Sequence, residues 1–153
     1  MPAGALPPPD RIALAHPATD RDAVLAAAAA LLAPLAGAST ERIASALARR
    51  EALASTGIGH GVALPHARLA DVDAPVSALL QLSTPVDFAA PDGQAVDLVF
   101  ALLVPDTQVQ AHLARLAALV ERLGDPAFRD ALRTAATRDA MLAALARPLP
   151  RVA

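Results

Sequence analysis

The sequence predicts a single α/β domain: a sandwich in which a mixed β-sheet is covered by helices on both faces. Segments with helical periodicity are interleaved with short apolar segments typical of strands. Residues 95–104 form a near-continuous apolar run, as expected for a central strand that is buried on both faces. The chain has 153 residues, which is long enough for one substantial core, and it shows no internal repeat.

The domain is expected to span residues 11–147. A flexible proline-rich arm over residues 1–10 precedes it, and a tail over residues 148–153 follows. Strands are predicted from apolar segments that end at proline or glycine turn signals. In order, the predicted strands cover residues 11–16, 62–64, 76–82, 85–88 (a short strand or a bend) and 95–104.

Helices are predicted where a capping residue precedes apolar residues at spacings of three and four. Thr19 is the predicted N-cap of the first helix, and Pro34 with Gly37 is predicted to end it. The clearest helix has apolar residues on one stripe from Val109 to Leu123. The predicted helices span, approximately, residues 20–33, 40–50, 108–123, 126–133 and 138–146.

Composition excludes several classes of function. Aromatic residues make up 2% of the chain and the formal net charge is −2, so neither base stacking nor neutralisation of a phosphate backbone is expected. There are no cysteines, which excludes disulfides and thiolate chemistry. All 13 basic residues are arginines, which excludes a Walker-A lysine and a Schiff-base lysine. No nucleic-acid partner is therefore expected.

The sequence contains no obvious secretory signal or membrane span. Its longest early uncharged run, residues 23–38, is mostly alanine and is interrupted by Pro34. Such a run is too short and too weakly apolar to cross a bilayer. A soluble, cytoplasmic protein without membrane insertion is expected.

Residues 55–68 concentrate the polar chemistry of a chain that is otherwise rich in Ala, Leu and Val. Gly57, Gly59 and Gly61 stand at alternate positions, which lets the backbone approach a ligand closely and present its N–H groups to an anion. A neutral histidine can attack phosphorus without a base, and the reference pKa of about 6.5 keeps much of it neutral at pH 7. His66 is therefore a candidate phosphoryl acceptor, and a purely structural histidine is the alternative.

Other catalytic sites are less well supported by the spacing. His60 and His66 lie six positions apart in a loop, and no third ligand has the spacing of a zinc site. The chain contains no G-x-S-x-G motif, so a serine hydrolase is not indicated. No metal and no cofactor are expected. His16 ends a predicted edge strand and has no partner that the sequence identifies.

Five segments, in order, resemble the active-site signature of the phosphotransferase system (PTS) enzyme IIA domains of the fructose/mannitol class, the PTS EIIA type-2 domains. Nitrogen-regulatory IIA proteins are the members that they resemble most. The segments are REALASTGIGHGVALPH (50–66), PVDF (85–88), DGQAVDLVF (92–100), VP (104–105) and HLARL (112–116). Together they extend over most of the predicted domain, so the resemblance is far more specific than one glycine motif. It implies the fold of that family.

The resemblance also implies the roles of three residues. His66 matches the histidine that accepts a phosphoryl group from a histidine-phosphorylated HPr-like carrier and holds it as phosphohistidine. Arg50 matches the active-site arginine, whose fork of donors suits phosphoryl oxygens. His112 matches a second active-site histidine that stabilises the phosphoryl group from near the start of its helix. Phosphoryl transfer requires mainly positioning and charge stabilisation, which these groups can supply without a metal.

Weaker phosphoryl contacts are expected from Thr56 and the three glycines of this segment. For Thr56, a hydrogen bond within the local turn is an equal alternative. His60 is left out of the catalytic set because the family tolerates other polar residues at its position. Arg68 is either a partner-facing charge or a solvated one.

Three functions remain open at this point. The first is a regulatory phosphocarrier in which the phosphorylation state of His66 alters binding to target proteins. The second is the IIA component of a fructose or mannitol uptake system, which passes the group to a IIB domain. The third is a binding module that no longer transfers phosphate. The sequence shows no IIB or membrane-spanning IIC segment, which favours the regulatory interpretation. The joint presence of the three site residues disfavours the third.

Overall fold

The computed structural model describes residues 9–147, apart from the side chain of Val109. Most of the predicted arm and all of the predicted tail lie outside these residues. By the contacts within it, the chain divides into two compact units, which cover residues 9–109 and 110–147 of the described part. The strands and the first two helices lie in the first unit, and the remaining helices, apart from Val109, form the second.

The first unit is built on a six-stranded mixed sheet, which confirms the predicted fold class. Its strands are β1 (Arg11–His16), β2 (Gly57–Gly59), β3 (Val62–Ala63), β4 (His66–Leu69), β5 (Val76–Val86) and β6 (Val96–Pro105). The strand order is β1-β5-β6-β3-β2, and β4 also pairs with β6. The β5–β6 and β2–β3 pairs are antiparallel, whereas the β1–β5, β3–β6 and β4–β6 pairs are parallel.

Strand β6 is the centre of the sheet, as its apolar run predicts. All but one of its residues are buried, in agreement with a strand covered on both faces. Strands β3 and β4 both run alongside β6, and residues 64–65 separate them. Pro65 has no N–H to donate, yet its carbonyl accepts the N–H of Leu102 at 2.9 Å. The proline thus interrupts the strand without detaching it, and β4 is a strand that the sequence did not predict.

Helix α1 (Arg21–Ala36) is longer than predicted at its C-terminal end. Asp20, rather than Thr19, caps it, because the Asp20 carboxylate accepts the N–H of Ala23 at 2.8 Å. Pro34 lies inside the helix instead of ending it. The helix ends at Gly37, which adopts a left-handed conformation with φ of 70°.

Helix α2 (Thr40–Leu53) begins where the sequence predicts and extends three residues beyond the predicted end at Arg50. Ser39 caps it by accepting the N–H of Arg42 at 3.2 Å. Helices α1 and α2 pack against each other, α1 packs on β5, and α2 packs on β4. The last turn of α2 is thereby held next to the strand that begins with His66.

The second unit contains α3 (Val109–Leu123), α4 (Pro126–Thr134) and α5 (Arg138–Leu145), close to the predicted bounds. Helices α4 and α5 pack together. The guanidinium of Arg122 lies 4.2 Å from the ring centroid of Phe128 and donates to the carbonyl of Arg147. Arg129 donates to the carbonyl of Leu123 at 2.7 Å. These two buried arginines connect the helix ends.

The apolar stripe of α3 is only partly buried. On the stripe, Leu123 is buried, whereas Leu113 and Val120 are 55% and 46% exposed; Leu119, which lies off the stripe, is buried. The periodicity therefore located the helix correctly but did not identify its buried side. Within residues 9–147, no helix has the length and apolar character needed to traverse a bilayer.

Candidate functional site

The last turn of α2 directs Arg50 towards His66. The Nη1 group of Arg50 donates to the carbonyl of Ala54 at 2.8 Å, which satisfies a carbonyl at the end of the helix. The Nε group of the same side chain donates to Nε2 of His66 at 3.3 Å. One guanidinium therefore both caps the end of α2 and contacts the candidate acceptor.

His66 is the first residue of β4 and is in register with Leu102 of β6. Its ring is half-buried, and Nδ1 lies 2.8 Å from the carbonyl oxygen of Leu64. A carbonyl oxygen can only accept, so this contact assigns a proton to Nδ1 in the neutral ring. Nε2 then carries the lone pair, and it is the nitrogen that Arg50 contacts. The geometry thus identifies Nε2 as the nucleophilic atom of the ring.

The surroundings of His66 favour its neutral form. Burial is the largest effect and lowers the pKa of the imidazole from its ordinary value. The guanidinium groups of Arg50 and Arg68 lower this pKa further, whereas the hydrogen bond to Leu64 and the charge of Glu51 oppose the shift. Since the net shift is downward, the lone pair on Nε2 stays available below the pH at which an exposed histidine gains a proton.

A tight hairpin joins β2 to β3. Its two connecting residues, His60 and Gly61, both have positive φ angles, of 58° and 78°, as a type I′ turn requires. The carboxylate of Asp92 accepts the N–H of His60 at 2.9 Å, and this bond with that of Gln94 lowers the pKa of Asp92. Gly59 has a φ of 94°, and a Cβ there would lie 3.2 Å from the Asp92 carboxylate. His60 thus has a structural role in the hairpin turn, which agrees with its omission from the catalytic set.

Gly57 is required for a different reason. A Cβ at this position would lie 2.7 Å from the Cβ of Ala90, closer than real side chains approach. The N–H of Gly57 donates to Oγ of Ser55 at 3.0 Å. Packing and turn geometry therefore explain the three glycines, and their predicted contacts with a phosphoryl group stay predictions.

Glu51 is a residue of this site that the sequence reasoning missed. Its side chain is 4% exposed, and its carboxylate accepts the N–H of Thr56 at 3.0 Å and the hydroxyl of Thr56 at 2.5 Å. The Thr56 hydroxyl proton is therefore directed to a buried carboxylate. This supports the local-turn interpretation of Thr56 over direct donation to a phosphoryl group.

The remaining candidates lie as follows. His112 is buried, at 5% exposed, and is the fourth residue of α3, near the start of the helix as the sequence predicts. It belongs to the second compact unit, so its contact with a phosphoryl group on His66 stays a prediction. Arg68 is exposed on β4, and Nδ1 of His16 accepts the N–H of Ala18 at 3.2 Å in a local turn.

Within residues 9–147, no group of three or more His, Cys, Asp or Glu side chains is arranged to hold a metal ion. The chemistry that the first unit can supply is instead that of a nucleophile next to a cation. Nε2 of His66 offers a lone pair, and Arg50 offers planar N–H donors beside it.

Two curated relatives are nitrogen regulatory proteins. The one from Pseudomonas aeruginosa is 47% identical over 95 residues, which are 62% of this chain and 62% of that protein. The one from Bradyrhizobium diazoefficiens is 34% identical over 148 residues, which are 97% of each chain. For three of the curated relatives, including the one from Pseudomonas aeruginosa, the alignment covers only 56–62% of the relative's own length.

Structural comparison and a family profile agree with these relatives. The crystal structure of the nitrogen regulatory protein IIA-Ntr from Neisseria meningitidis superposes with a TM-score of 0.85 at 33% identity, covering 92% of this chain and 96% of that one. The profile described as "Phosphoenolpyruvate-dependent sugar phosphotransferase system, EIIA 2" matches residues 6–147. The chain therefore belongs to the PTS EIIA type-2 family, whose members are components of a phosphotransferase system.

Proposed function

We propose that this protein is a nitrogen-type regulatory IIA phosphocarrier, which accepts a phosphoryl group from a phosphorylated HPr-like protein on Nε2 of His66. The observation that carries the proposal is the pair of contacts at the His66 ring. Leu64 holds the proton on Nδ1, and Arg50 lies 3.3 Å from the nitrogen that has the lone pair. A neutral, oriented imidazole beside a guanidinium is what nucleophilic attack on a phosphoryl group requires.

The transfer step exchanges one P–N bond for another. The lone pair on Nε2 of His66 forms the new bond to phosphorus while the P–N bond of the donor phosphohistidine breaks, and its electrons return to the donor ring. Nδ1 of His66 keeps its proton and its bond to Leu64. The acceptor ring thereby takes on the positive charge that a protonated donor ring loses, so charge is conserved without a separate base.

Arg50 has to change partners during this step. In the resting structure, its Nε–H points at the lone pair that forms the new bond. As the phosphoryl group arrives, the guanidinium turns from Nε2 to the phosphoryl oxygens, while Nη1 stays close to the carbonyl of Ala54. The guanidinium presents its N–H donors in one plane, which suits a pair of phosphoryl oxygens. The same donors stabilise the negative charge that builds up on these oxygens in the transition state. His112 is the proposed second donor.

The phosphorylated state is the proposed regulatory signal. Phosphorylation of a hydroxyl side chain adds about −1.5 to −2 charge at pH 7, which indicates the scale available here. A change of that size next to exposed surface alters which target proteins bind. The nitrogen regulatory relatives support this role over sugar uptake.

Reconstitution tests the proposal directly. The protein is incubated with phosphoenolpyruvate, enzyme I and an HPr-like carrier, and acid-labile label on the chain is measured. Label is expected on wild-type protein and on His60→Asn, whose exposed side chain lies in the hairpin turn. Label that persists on His66→Ala would refute the acceptor assignment.

A second arm distinguishes the regulatory role from sugar uptake. The labelled protein is mixed with a fructose- or mannitol-type IIB domain, and the label on each chain is followed. Retention on this chain is expected. Rapid passage to the IIB domain would instead support the uptake component, and an absence of label on wild-type protein would support the non-transferring binding module.

A further inference from the structure

A chain of hydrogen bonds, joined through the backbones of Thr56 and Leu64, connects the buried carboxylate of Glu51 to the ring of His66. Glu51 accepts both the N–H and the hydroxyl of Thr56, at 3.0 and 2.5 Å. The carbonyl of Thr56 accepts the N–H of Leu64 at 3.0 Å. The carbonyl of Leu64 accepts the Nδ1 proton of His66 at 2.8 Å. Every link in this chain lies within the first compact unit.

We propose that Glu51 is a positioning residue for phosphoryl transfer: through Thr56 and Leu64, its carboxylate holds His66 in the tautomer that presents Nε2 to the donor. The inference rests on the proposed function, because it assigns Glu51 a role in that same site. Glu51 itself touches neither the phosphoryl group nor the imidazole in this chain of contacts.

The position of the chain in the fold explains how a carboxylate can act at this distance. The Thr56–Leu64 bond continues the β2–β3 hairpin by one residue on each strand, so Thr56 and Leu64 are held face to face. Glu51 fixes Thr56 from the last turn of α2 and thereby fixes the direction of the Leu64 peptide. The Leu64 carbonyl can then point at Nδ1, which leaves Nε2 for the phosphoryl group.

The negative charge of Glu51 strengthens this arrangement. Hydrogen bonds to an ionised acceptor are roughly twice as strong as neutral ones, and they are stronger still where water is excluded. Glu51 and Thr56 are 4% and 5% exposed, so water screens the bonds between them poorly. The two bonds hold Thr56 firmly, so the Leu64 carbonyl stays aimed at Nδ1, which favours a proton on Nδ1 and a lone pair on Nε2. The charge also raises the pKa of His66, opposing Arg50.

Substitution by glutamine weakens the anchor at Thr56 without changing its shape. In Glu51→Gln, the amide oxygen can still accept the N–H of Thr56, and the amide nitrogen can donate to the Thr56 hydroxyl. The shape and both bonds can persist while the charge is lost. The matched control is Glu41→Gln, which removes the same charge from the exposed first turn of the same helix, about 15 Å away at 1.5 Å per residue.

The first measurement is the tautomer of His66, from the ¹⁵N chemical shifts of its two ring nitrogens in the unphosphorylated protein. Wild type and Glu41→Gln are expected to carry the proton on Nδ1, whereas Glu51→Gln is expected to show an increased share of the Nε2-protonated form. The measurement needs no phosphoryl donor, so it reports on Glu51 even if His66 proves not to be the acceptor. An unchanged tautomer in Glu51→Gln would overturn the proposal.

The second measurement is the rate of phosphoryl transfer from the HPr-like carrier. Because a neutral amide holds Thr56 less strongly than a carboxylate does, the rate for Glu51→Gln is expected to be roughly 10-fold lower, with an unfolding transition like that of wild type. Thr56→Val removes the hydroxyl bond to Glu51 and keeps the backbone bonds that Thr56 makes to Glu51 and Leu64. Because Glu51 acts through Thr56, the double variant is expected to lose no more than the slower single variant. Losses that multiply in the double variant would contradict the chain.

Discussion

The Nε group of Arg50 lies 3.3 Å from Nε2 of His66, the ring nitrogen that the Leu64 contact leaves with a lone pair. The same guanidinium is held at the end of α2 by its bond to the carbonyl of Ala54. One side chain thus connects a helix end to the nucleophile. A flexible ammonium could supply the charge but could not make both contacts in a fixed plane.

Arg50→Lys is therefore expected to slow phosphoryl transfer to His66 by about 100-fold, the scale measured when one transition-state donor is removed from other enzymes. The charge is kept, so the loss reports the geometry of the fork. The measurement is the single-turnover rate of acid-labile labelling. Arg49→Lys is the matched control, since Arg49 is the exposed neighbour of Arg50 on the same helix and should label at the wild-type rate. Equal rates for both variants would contradict the role of Arg50.

The pKa of His66 gives a prediction with a defined sign. Burial lowers this pKa below its ordinary value of 6.5, so the ring is expected to stay neutral at pH 6.5 and to gain its proton only at lower pH. An NMR titration of the His66 ring measures this directly. A midpoint above 6.5 would show that the Leu64 bond and the charge of Glu51 outweigh burial.

The same shift makes stability depend on pH. Between the lowered pKa of the folded protein and 6.5, the unfolded chain binds the proton and the folded protein does not. The free energy of unfolding should therefore decrease as the pH falls through that window. The measurement is chemical denaturation of wild type and of His66→Gln. The difference between their free energies of unfolding isolates His66, because the other histidines contribute equally in both proteins. That difference should change only below pH 6.5.

The residues that carry the chemistry could be predicted because a long, ordered signature includes them. His66 and Arg50 were selected from sequence, and the structure brings them together. Glu51 was not selected, although it stands beside Arg50. A carboxylate near a helix end usually faces solvent, and only the return of the chain at Thr56 shows that this one is buried.

The missed elements have local physical causes. Strands β2 and β4 are three and four residues long, too short for an alternating pattern to be recognised, and β2 contains two glycines. They exist because β3 and β6 supply their hydrogen-bonding partners. Pro34 was predicted to end α1 because an internal proline removes one helical bond. The affected carbonyl is that of Ala30, an exposed residue, where water can replace the lost N–H.

Replacement of Pro34 is expected to stabilise the protein. Pro34→Ala restores an N–H in the last turn of α1 and should raise the free energy of unfolding by about 1 kcal/mol or more. Gly37→Ala should act in the opposite direction by about 1 kcal/mol, because Gly37 has a φ of 70° and a Cβ there would gain no contact. Both are measured by chemical denaturation. A destabilised Pro34→Ala would show that the end of α1 depends on the fixed φ of proline.

Gly57 and Ala90 are expected to behave as a coupled pair. Gly57→Ala places a methyl group 2.7 Å from the Cβ of Ala90 in a buried contact, and overpacking of this kind costs about 1–3 kcal/mol. The movement that relieves it displaces β2 next to Thr56, so phosphoryl transfer should slow as well. Ala90→Gly removes the opposing methyl group. The double variant should therefore be more stable than the sum of the two single losses predicts.

The rescue should be incomplete, and its extent tests the geometry. With the Cβ of Ala90 removed, the new methyl group would still lie 3.1 Å from the Cα at that position, which is tight but can be relieved by a small shift. A coupling energy of about 1 kcal/mol from a double-mutant cycle is therefore expected. If the two losses simply add, the close approach is not what requires glycine at position 57. The N–H bond of Gly57 to Ser55 would then be the contact to examine.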